Sequence, residues 1–130
     1  MSTTTTPTTA QEYVRFWNLP PQEQRSLGRS LFTPDVLRTT PVGVGTGVED
    51  MVDFSTQFAT HVGDYEFRSR AEPDAHHDRV RVPWELLAGG GSFAEGTDVL
   101  TLDDAGRITT IVGFLDRAPE GFDHHAHEEG

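Results

Sequence analysis

The second half of the chain alternates apolar and polar residues with a period of two, and this pattern restricts the possible folds more than any other feature. The clearest example is Val80, Val82, Trp84 and Leu86, which a strand would place on one face. Turn-forming sequences separate the alternating segments. The predicted strands are Tyr65–Glu72, His77–Leu87, Ser92–Leu102 and Arg107–Asp116, with turns at Pro73–Ala75, Gly89–Gly91 and Asp103–Gly106. Such short connections predict an antiparallel meander.

Before Gly63 the apolar residues recur at helical spacing instead. Two capping boxes, Thr9 with Glu12 and Thr46 with Glu49, predict the starts of two helices. The predicted elements are a helix from Ala10 to about Asn18, a short helix from Pro21 that carries Leu27, Leu31 and Phe32 and stops at Pro34, a strand over Asp35–Thr40, a glycine-rich connector over Pro41–Gly47, and a helix from Val48 to Gly63. Helices first and strands afterwards indicate an α+β fold, with three N-terminal helices packed on a curved, mostly antiparallel sheet. Such a layer leaves a cone whose mouth can hold a ligand.

The composition excludes several classes of function. Cysteine and lysine are both absent, which removes thiol nucleophiles, Schiff-base chemistry and the lysine of phosphate-binding loops. The formal net charge of -11 argues against nucleic-acid partners and against anionic membrane surfaces. No transmembrane or signal segment is visible, so we expect a cytoplasmic protein.

The length of 130 residues suits one domain, which we assign to residues 9–118. Residues 1–8 are expected to form a disordered leader, and residues 119–130 an acidic, histidine-rich tail that is also expected to be disordered. The tail histidines, His124, His125 and His127, would bind metal weakly and without defined geometry. We therefore assign no metal site and no cofactor.

The strand around Asp98 carries the best candidate for chemistry, because the period of two places its carboxyl on a face of small and apolar residues. The members of that face are Ala94, Gly96, Asp98, Leu100 and Leu102, and the neighbouring strands would add Val80, Val82, Trp84, Leu86, Ile111, Gly113 and Leu115. Removal from water would raise the pKa of this carboxyl and suit it to acid–base work near neutral pH. Alternatively, Asp98 points to water at a sheet edge or binds a backbone N–H.

The segment from Gly96 to Asp116, together with His76–Leu86 and the early helix that carries Tyr13, Trp17 and Asn18, resembles the SnoaL-like branch of the nuclear-transport-factor-2-like superfamily. The resemblance runs from about Thr9 to the last strand. It implies the cone fold of that superfamily. The superfamily hosts isomerases, cyclases, hydrolases, dehydratases and binding modules, so the fold alone does not give the function.

The resemblance implies roles for individual residues. Asp98 lies where SnoaL-like cyclases are expected to keep an acid/base aspartate, and Tyr13 near the oxyanion tyrosine of ketosteroid isomerases. Thr40 stands where the isomerases have their basic aspartate, which disfavours steroid isomerisation by that mechanism. Arg81 and Gly113 occupy positions near those where an epoxide hydrolase is expected to have its two carboxylates. Their presence disfavours epoxide hydrolysis as well.

The leading hypothesis is thus a SnoaL-like enzyme that uses Asp98 as acid/base on an apolar, carbonyl-bearing ligand of polyketide or steroid type. The alternative is a non-catalytic ligand-binding or dimeric interaction module on the same fold. The predicted catalytic residues are Asp98, Tyr13 and His77, and the predicted ligand-binding residues are Trp17, Thr40, Phe58, Val82, Trp84, Leu100, Ile111, Gly113 and Leu115.

One of these assignments keeps an open alternative. His77 could reach the pocket and relay the proton of Asp98, or it could lie with His76 in a solvated turn. A homodimer is expected through the outer face of the sheet, as in the resembled family, with Phe93 and Val99 on the face opposite Asp98. The partners expected are therefore a small apolar molecule and a second copy of the chain.

Overall fold

The computed structural model describes residues 5–119, which form three helices and seven strands. The helices are α1 (Thr5–Trp17), α2 (Pro21–Leu31) and α3 (Val48–Val62), and the strands are β1 (Phe32–Thr40), β2 (Gly43–Thr46), β3 (Tyr65–Ser69), β4 (Asp74–His76), β5 (Arg79–Ala88), β6 (Gly91–Leu102) and β7 (Ile108–Arg117). The helices pack on a curved, open mixed sheet. This α+β cone confirms the predicted fold class.

The strands of the sheet are ordered β2-β1-β7-β6-β5-β3, and the short β4 also pairs with β5. Only β1 and β7 run parallel among the paired strands of the described chain. Register shifts interrupt the β1–β7, β5–β6 and β6–β7 ladders. Such bulges bend strands and increase their twist, and this curvature makes the concave face that the helices cover.

The period of two in the sequence is realised on this concave face. The buried members of its three central strands are Val80, Val82, Trp84, Ala94, Gly96, Asp98, Leu100, Ile108, Ile111 and Gly113. They pack against an aromatic layer that α1 and β1 supply through Tyr13, Phe16 and Phe32. The prediction that Asp98 lies on the covered face, and not at a solvated edge, is confirmed.

A buried glutamine joins the three helices. Gln24 of α2 donates from Nε2 to the carbonyl oxygen of Phe16 at 3.2 Å and accepts from the Ser55 hydroxyl of α3 at 3.1 Å. Gly28 lets α2 approach α3, because a Cβ at this position would lie 2.8 Å from a methyl carbon of Val48. The helical layer is therefore fixed by packing and by a polar contact that the sequence did not reveal.

The edge strand β3 is covered by a side chain. Asn18 donates from Nδ2 to the carbonyl oxygen of Phe67 at 2.7 Å and accepts from the Phe67 N–H at 2.8 Å. Tyr65 donates its hydroxyl to the Trp17 carbonyl oxygen at 2.7 Å. The end of α1 and the edge of the sheet are thus joined by three hydrogen bonds.

Both predictions of a capping box are wrong. Thr9 lies inside α1, which begins at Thr5, and Thr46 lies in β2, where it pairs with Leu37. The N-cap of α3 is Gly47, which makes no side-chain capping hydrogen bond and has a φ of 88°. This positive φ turns the chain directly from the strand into the helix, and glycine adopts it readily.

Strand boundaries also differ from the prediction. Phe32, predicted as helical, has extended backbone and begins β1. The glycine-rich connector contains β2, which pairs with β1, and the predicted turn Pro73–Ala75 overlaps β4. Glycine-rich and very short strands lack the alternation that marks longer ones, which is why the pattern missed them.

Phe93 occupies a bulge, and its predicted place on the outer face is wrong. Ser92 pairs with Leu87 and Ala94 with Leu86, so Phe93 is an extra residue without a partner on β5. The bulge brings its ring to 5.5 Å from that of Phe58 on α3. An extra residue shifts the alternation by one position, so Phe93 joins the concave side.

Residues 1–4 of the predicted leader and residues 120–130 of the predicted tail, including His124, His125 and His127, lie outside the described residues. Residues 5–8, which we assigned to the leader, belong to α1. Across residues 5–119, no helix has the length and apolar character needed to cross a membrane.

Candidate functional site

A cavity of about 180 Å³ opens between the helical layer and the concave face of the sheet. Its lining comes from seven of the elements and includes Trp17, Arg38, Thr40, Phe54, Ser55, Phe58, Tyr65, Phe67, Trp84, Leu86, Phe93, Ala94, Asp98, Gly113 and Leu115. Apolar and aromatic groups make up almost all of this wall. A dry cavity of similar size holds a molecule as large as benzene, so the space suits a small, largely apolar ligand.

Asp98 is the carboxyl group on this wall, and only 8% of its surface is exposed. The Tyr13 hydroxyl of α1 donates to Oδ2 through a short hydrogen bond. The Trp84 indole nitrogen Nε1 of β5 donates to Oδ1 at 2.9 Å. Two donors from two different elements therefore fix the carboxyl in one orientation at the cavity.

Two glycines make room for this arrangement. Gly113 lies opposite Asp98 on β7, and a Cβ there would approach Oδ1 to 2.9 Å and the Thr40 Cγ2 to 3.3 Å. A Cβ on Gly96 would lie 2.3 Å from Cζ2 of Trp84. The space beside Gly96 is filled by the indole that holds Asp98.

Burial raises the pKa of Asp98 from 3.8 to about 6, while the hydrogen bonds from Tyr13 and Trp84 and the charge of Arg38 act in the opposite direction. Burial, and then the neighbouring Asp98 charge, raise the pKa of Tyr13 well above its ordinary value. Tyr13 is therefore a neutral donor at physiological pH, and Asp98 titrates near neutrality. The predicted rise in the pKa of Asp98 agrees with this result.

Tyr13 is completely buried and is not part of the cavity wall. Its hydroxyl donates to Asp98, so its observed contact is with the carboxyl and not with the cavity. His77 lies in the exposed turn between β4 and β5, with its Nδ1 3.2 Å from that of His76. This turn is not part of the cavity wall, so of the two alternatives for His77 the structure has the exposed turn shared with His76.

Six of the nine predicted ligand-binding residues line the cavity; they are Trp17, Thr40, Phe58, Trp84, Gly113 and Leu115. The other three, Val82, Leu100 and Ile111, share the concave face but are at most 1% exposed and belong to the solid core. Alternation gives the face of a strand, whereas the helices decide which part of that face is filled.

The most important cavity residue that the sequence reasoning missed is Arg38. It precedes Thr40 by two positions on β1, so the two share a face, and this spacing was the available signal. Its guanidinium carbon lies 4.6 Å from the ring centre of Phe54 and 5.7 Å from that of Trp17. The wall thus brings together one cation and one carboxyl among aromatic rings.

Solved structures with the same fold identify the family. The chain is 30% identical to a candidate isomerase of the SnoaL-like family from Agrobacterium tumefaciens, with a TM-score of 0.80 over 87% of this chain and 98% of that one. The chain belongs to the SnoaL-like family. This membership confirms the resemblance seen in the sequence.

More distant structures show that this SnoaL-like protein shares its fold with several others. A candidate polyketide cyclase from Sinorhizobium meliloti is 17% identical, with a TM-score of 0.65 over 82% of this chain and 94% of that one. A protein with a ketosteroid isomerase-like fold from Catenulispora acidiphila, in complex with trimethylamine, is 16% identical, with a TM-score of 0.68 over 83% of this chain and 85% of that one. No family model matches the SnoaL-like chain, and no curated protein matches it significantly.

Proposed function

We propose that this SnoaL-like protein is a small-molecule enzyme in which Asp98 transfers a proton on a largely apolar, carbonyl-bearing ligand. The single observation that carries the proposal is the Asp98 carboxyl: it faces an apolar cavity, and burial brings its pKa to about 6. A general base works best when its pKa lies near the operating pH. The family membership supports an isomerase or cyclase reaction of this kind.

Proton abstraction is the step that the geometry favours. With a pKa of about 6, about nine-tenths of Asp98 is ionised at pH 7, so a base is available. The carboxylate takes a proton from a carbon next to a carbonyl group, and the C–H electron pair moves into an enolate. If Asp98 returns the proton to another carbon, the product is an isomer. If the enolate carbon instead attacks a second carbonyl group, a ring closes, and the alkoxide that forms takes the proton from Asp98.

The surrounding residues prepare Asp98 for this step. Tyr13 and Trp84 hold both carboxyl oxygens, which limits the rotation of the group relative to a bound ligand. The wall is largely apolar and aromatic, and such surroundings strengthen electrostatic interactions inside the cavity. Thr40 contributes packing and no proton transfer, because its hydroxyl donates to Gly43 and accepts from the Val42 N–H in the β1–β2 turn.

One observation favours the alternative, a non-catalytic ligand-binding module. Both oxygens of Asp98 already accept hydrogen bonds from protein donors, as a purely structural carboxyl would. A carboxylate has about four acceptor positions, however, so these two bonds leave room for a proton in transfer. Turnover of an Asp98 variant separates the two functions.

Asp98→Asn is the decisive variant. The new amide can accept from Trp84 and donate to the Tyr13 oxygen, so both contacts are retained, the second with its direction reversed, while proton transfer is lost. We expect exchange of α-hydrogens for deuterium, followed by NMR on a panel of cyclic ketones and 1,3-diketones, to slow by about 100-fold or more. Asp64→Asn, at an exposed position after α3, controls for the loss of one acid. Equal rates for Asp98→Asn and the unmodified protein would support the binding module instead.

A further inference from the structure

Arg38 places a cation inside a cavity whose other wall groups are almost all apolar. Its side chain is only 12% exposed. A charge at this depth has lost most of its hydration, so it needs partners within the protein or in a ligand. Within residues 5–119 its nearest partners are the Asp50 carboxylate and the rings of Phe54 and Trp17.

These partners are incomplete. The Nε of Arg38 is buried and has no hydrogen-bond partner, and Nη2 lies 3.6 Å from Oδ2 of Asp50, beyond ordinary hydrogen-bond length. By contrast, the exposed Arg25 donates to Glu49 at 2.7 Å. The guanidinium on the cavity wall therefore retains donor capacity that Asp50, the carboxylate with which it forms an ion pair, does not use.

Aromatic rings hold the guanidinium in place. Phe54 and Trp17 lie within the range of cation–π attraction of the guanidinium. This attraction acts on the charge of the group and accepts none of its N–H donors into a conventional hydrogen bond, so they remain available to an acceptor. A planar fork of donors matches the two oxygens of a carboxylate.

The position of Arg38 also relates it to the proposed base. Thr40, two residues further along β1, packs beside Gly113, which pairs with Asp98. Arg38 pairs with Ile111, two residues before Gly113 on β7. The paired positions Arg38–Ile111 and Thr40–Gly113 are two residues apart, which is roughly 7 Å along the strands. A small ligand can contact both groups, and the charge of Arg38 already lowers the pKa of Asp98.

We propose that the ligand of this cavity carries an ionised carboxylate, that Arg38 binds this group, and that the reacting carbon lies a few bonds away beside Asp98. The proposal rests on the proposed function in taking the cavity as the ligand site, and it narrows the substrate class to small aromatic or alicyclic acids. The net charge of -11 gives an anion no general attraction to the protein, so recognition of the acid depends on this local cation.

The test compares 2-naphthoate with the neutral 2-naphthamide, and benzoate with benzamide, by isothermal titration calorimetry on the full chain. We expect the acids to bind about tenfold or more tightly than their amides. Arg38→Met keeps an unbranched stem for packing on Phe54 and should abolish this preference. Arg38→Lys should keep part of it. Arg25→Met, which removes one exposed positive charge, should leave it unchanged.

Three results would overturn the proposal: equal affinity for acid and amide, a preference that survives Arg38→Met, or no binding of either acid at millimolar concentration. A purely structural role for Arg38 would lower the melting temperature of Arg38→Met without changing the ratio of acid to amide affinity, so melting curves are recorded for every variant. The assay does not require turnover. If Arg38→Met loses the acid preference while Asp98→Asn keeps full activity, the anion site is supported and the proposed catalysis is refuted. If Arg38→Met keeps the acid preference while Asp98→Asn loses activity, only the anion site is refuted.

Discussion

Replacing the buried acid by its neutral amide should stabilise the protein, and the gain should grow with pH. Asp98 has a pKa of about 6 in the folded protein and an ordinary value of 3.8, because burial disfavours its charge. Between these values the folded state binds more protons than the unfolded state. Stability is therefore lost as pH rises from below 4 through 6, and Asp98→Asn removes this loss.

The size of the effect follows from the shift. The difference of about 2.2 pKa units, from 3.8 to about 6, corresponds to about 3 kcal/mol of unfolding free energy. About half of it falls between pH 5 and pH 8, because the unfolded group is already mostly ionised at pH 5. In the amide variant the hydrogen bond from Trp84 is kept and the one with Tyr13 reverses its direction; the cost of this change is the same at every pH, so it does not mask a gain that grows with pH.

Urea denaturation of the two proteins at pH 5, 6, 7 and 8 measures this difference. Subtraction of the two curves cancels the contributions of the other ionisable groups. We expect the advantage of Asp98→Asn to increase by about 1.5 kcal/mol over this range. Asp64→Asn provides the control for net charge. A difference curve that is flat from pH 5 to pH 8 would show that the pKa of Asp98 is not raised. Its proposed role in proton transfer would then lose its main support.

Three further changes test other parts of the structure. Trp84→Phe removes the donor to Oδ1 and should raise the pKa of Asp98, seen as a higher midpoint in a carbon-13 NMR titration; an unchanged midpoint would contradict the assigned hydrogen bond. Gly96→Ala should destabilise the fold by about 3 kcal/mol in urea denaturation, since its Cβ would overlap the indole, whereas Gly91→Ala, with open space around its Cβ, should cost far less. We expect a homodimer through the outer sheet face, so Val112→Asp should shift sedimentation toward the monomer; an unmodified chain that sediments as a monomer at micromolar concentration would refute this.

The sequence predicts the part of the site that depends on strand periodicity. Alternation along a strand is a local property, so the order of residues in β6 is enough to assign Asp98 to the covered face. The position of the cavity along that face depends on where the helices stop, which no local pattern encodes. For this reason the alternation predicts Leu100 in the cavity wall although it lies in the core, and it does not single out Arg38.

Other errors share one cause, the choice of a local signal where the fold applies a different constraint. Thr46 and Glu49 have the spacing of a capping box, but pairing with Leu37 keeps Thr46 in a strand. Strand alternation predicts Phe93 on the outer face, but the bulge turns its side chain to the concave side. The role of Tyr13 needed the distance between α1 and β6, which only the tertiary structure supplies.

The amide of Asn18 bears on how molecules of this protein behave at high concentration. An edge strand with free N–H and C=O groups is a template on which a strand from another molecule can add, and such addition begins aggregation. At the middle of β3, Asn18 occupies both backbone groups of Phe67, as a neighbouring strand would. The same side chain that ties α1 to the sheet therefore also ends the sheet, and blocks this edge against growth by a second chain.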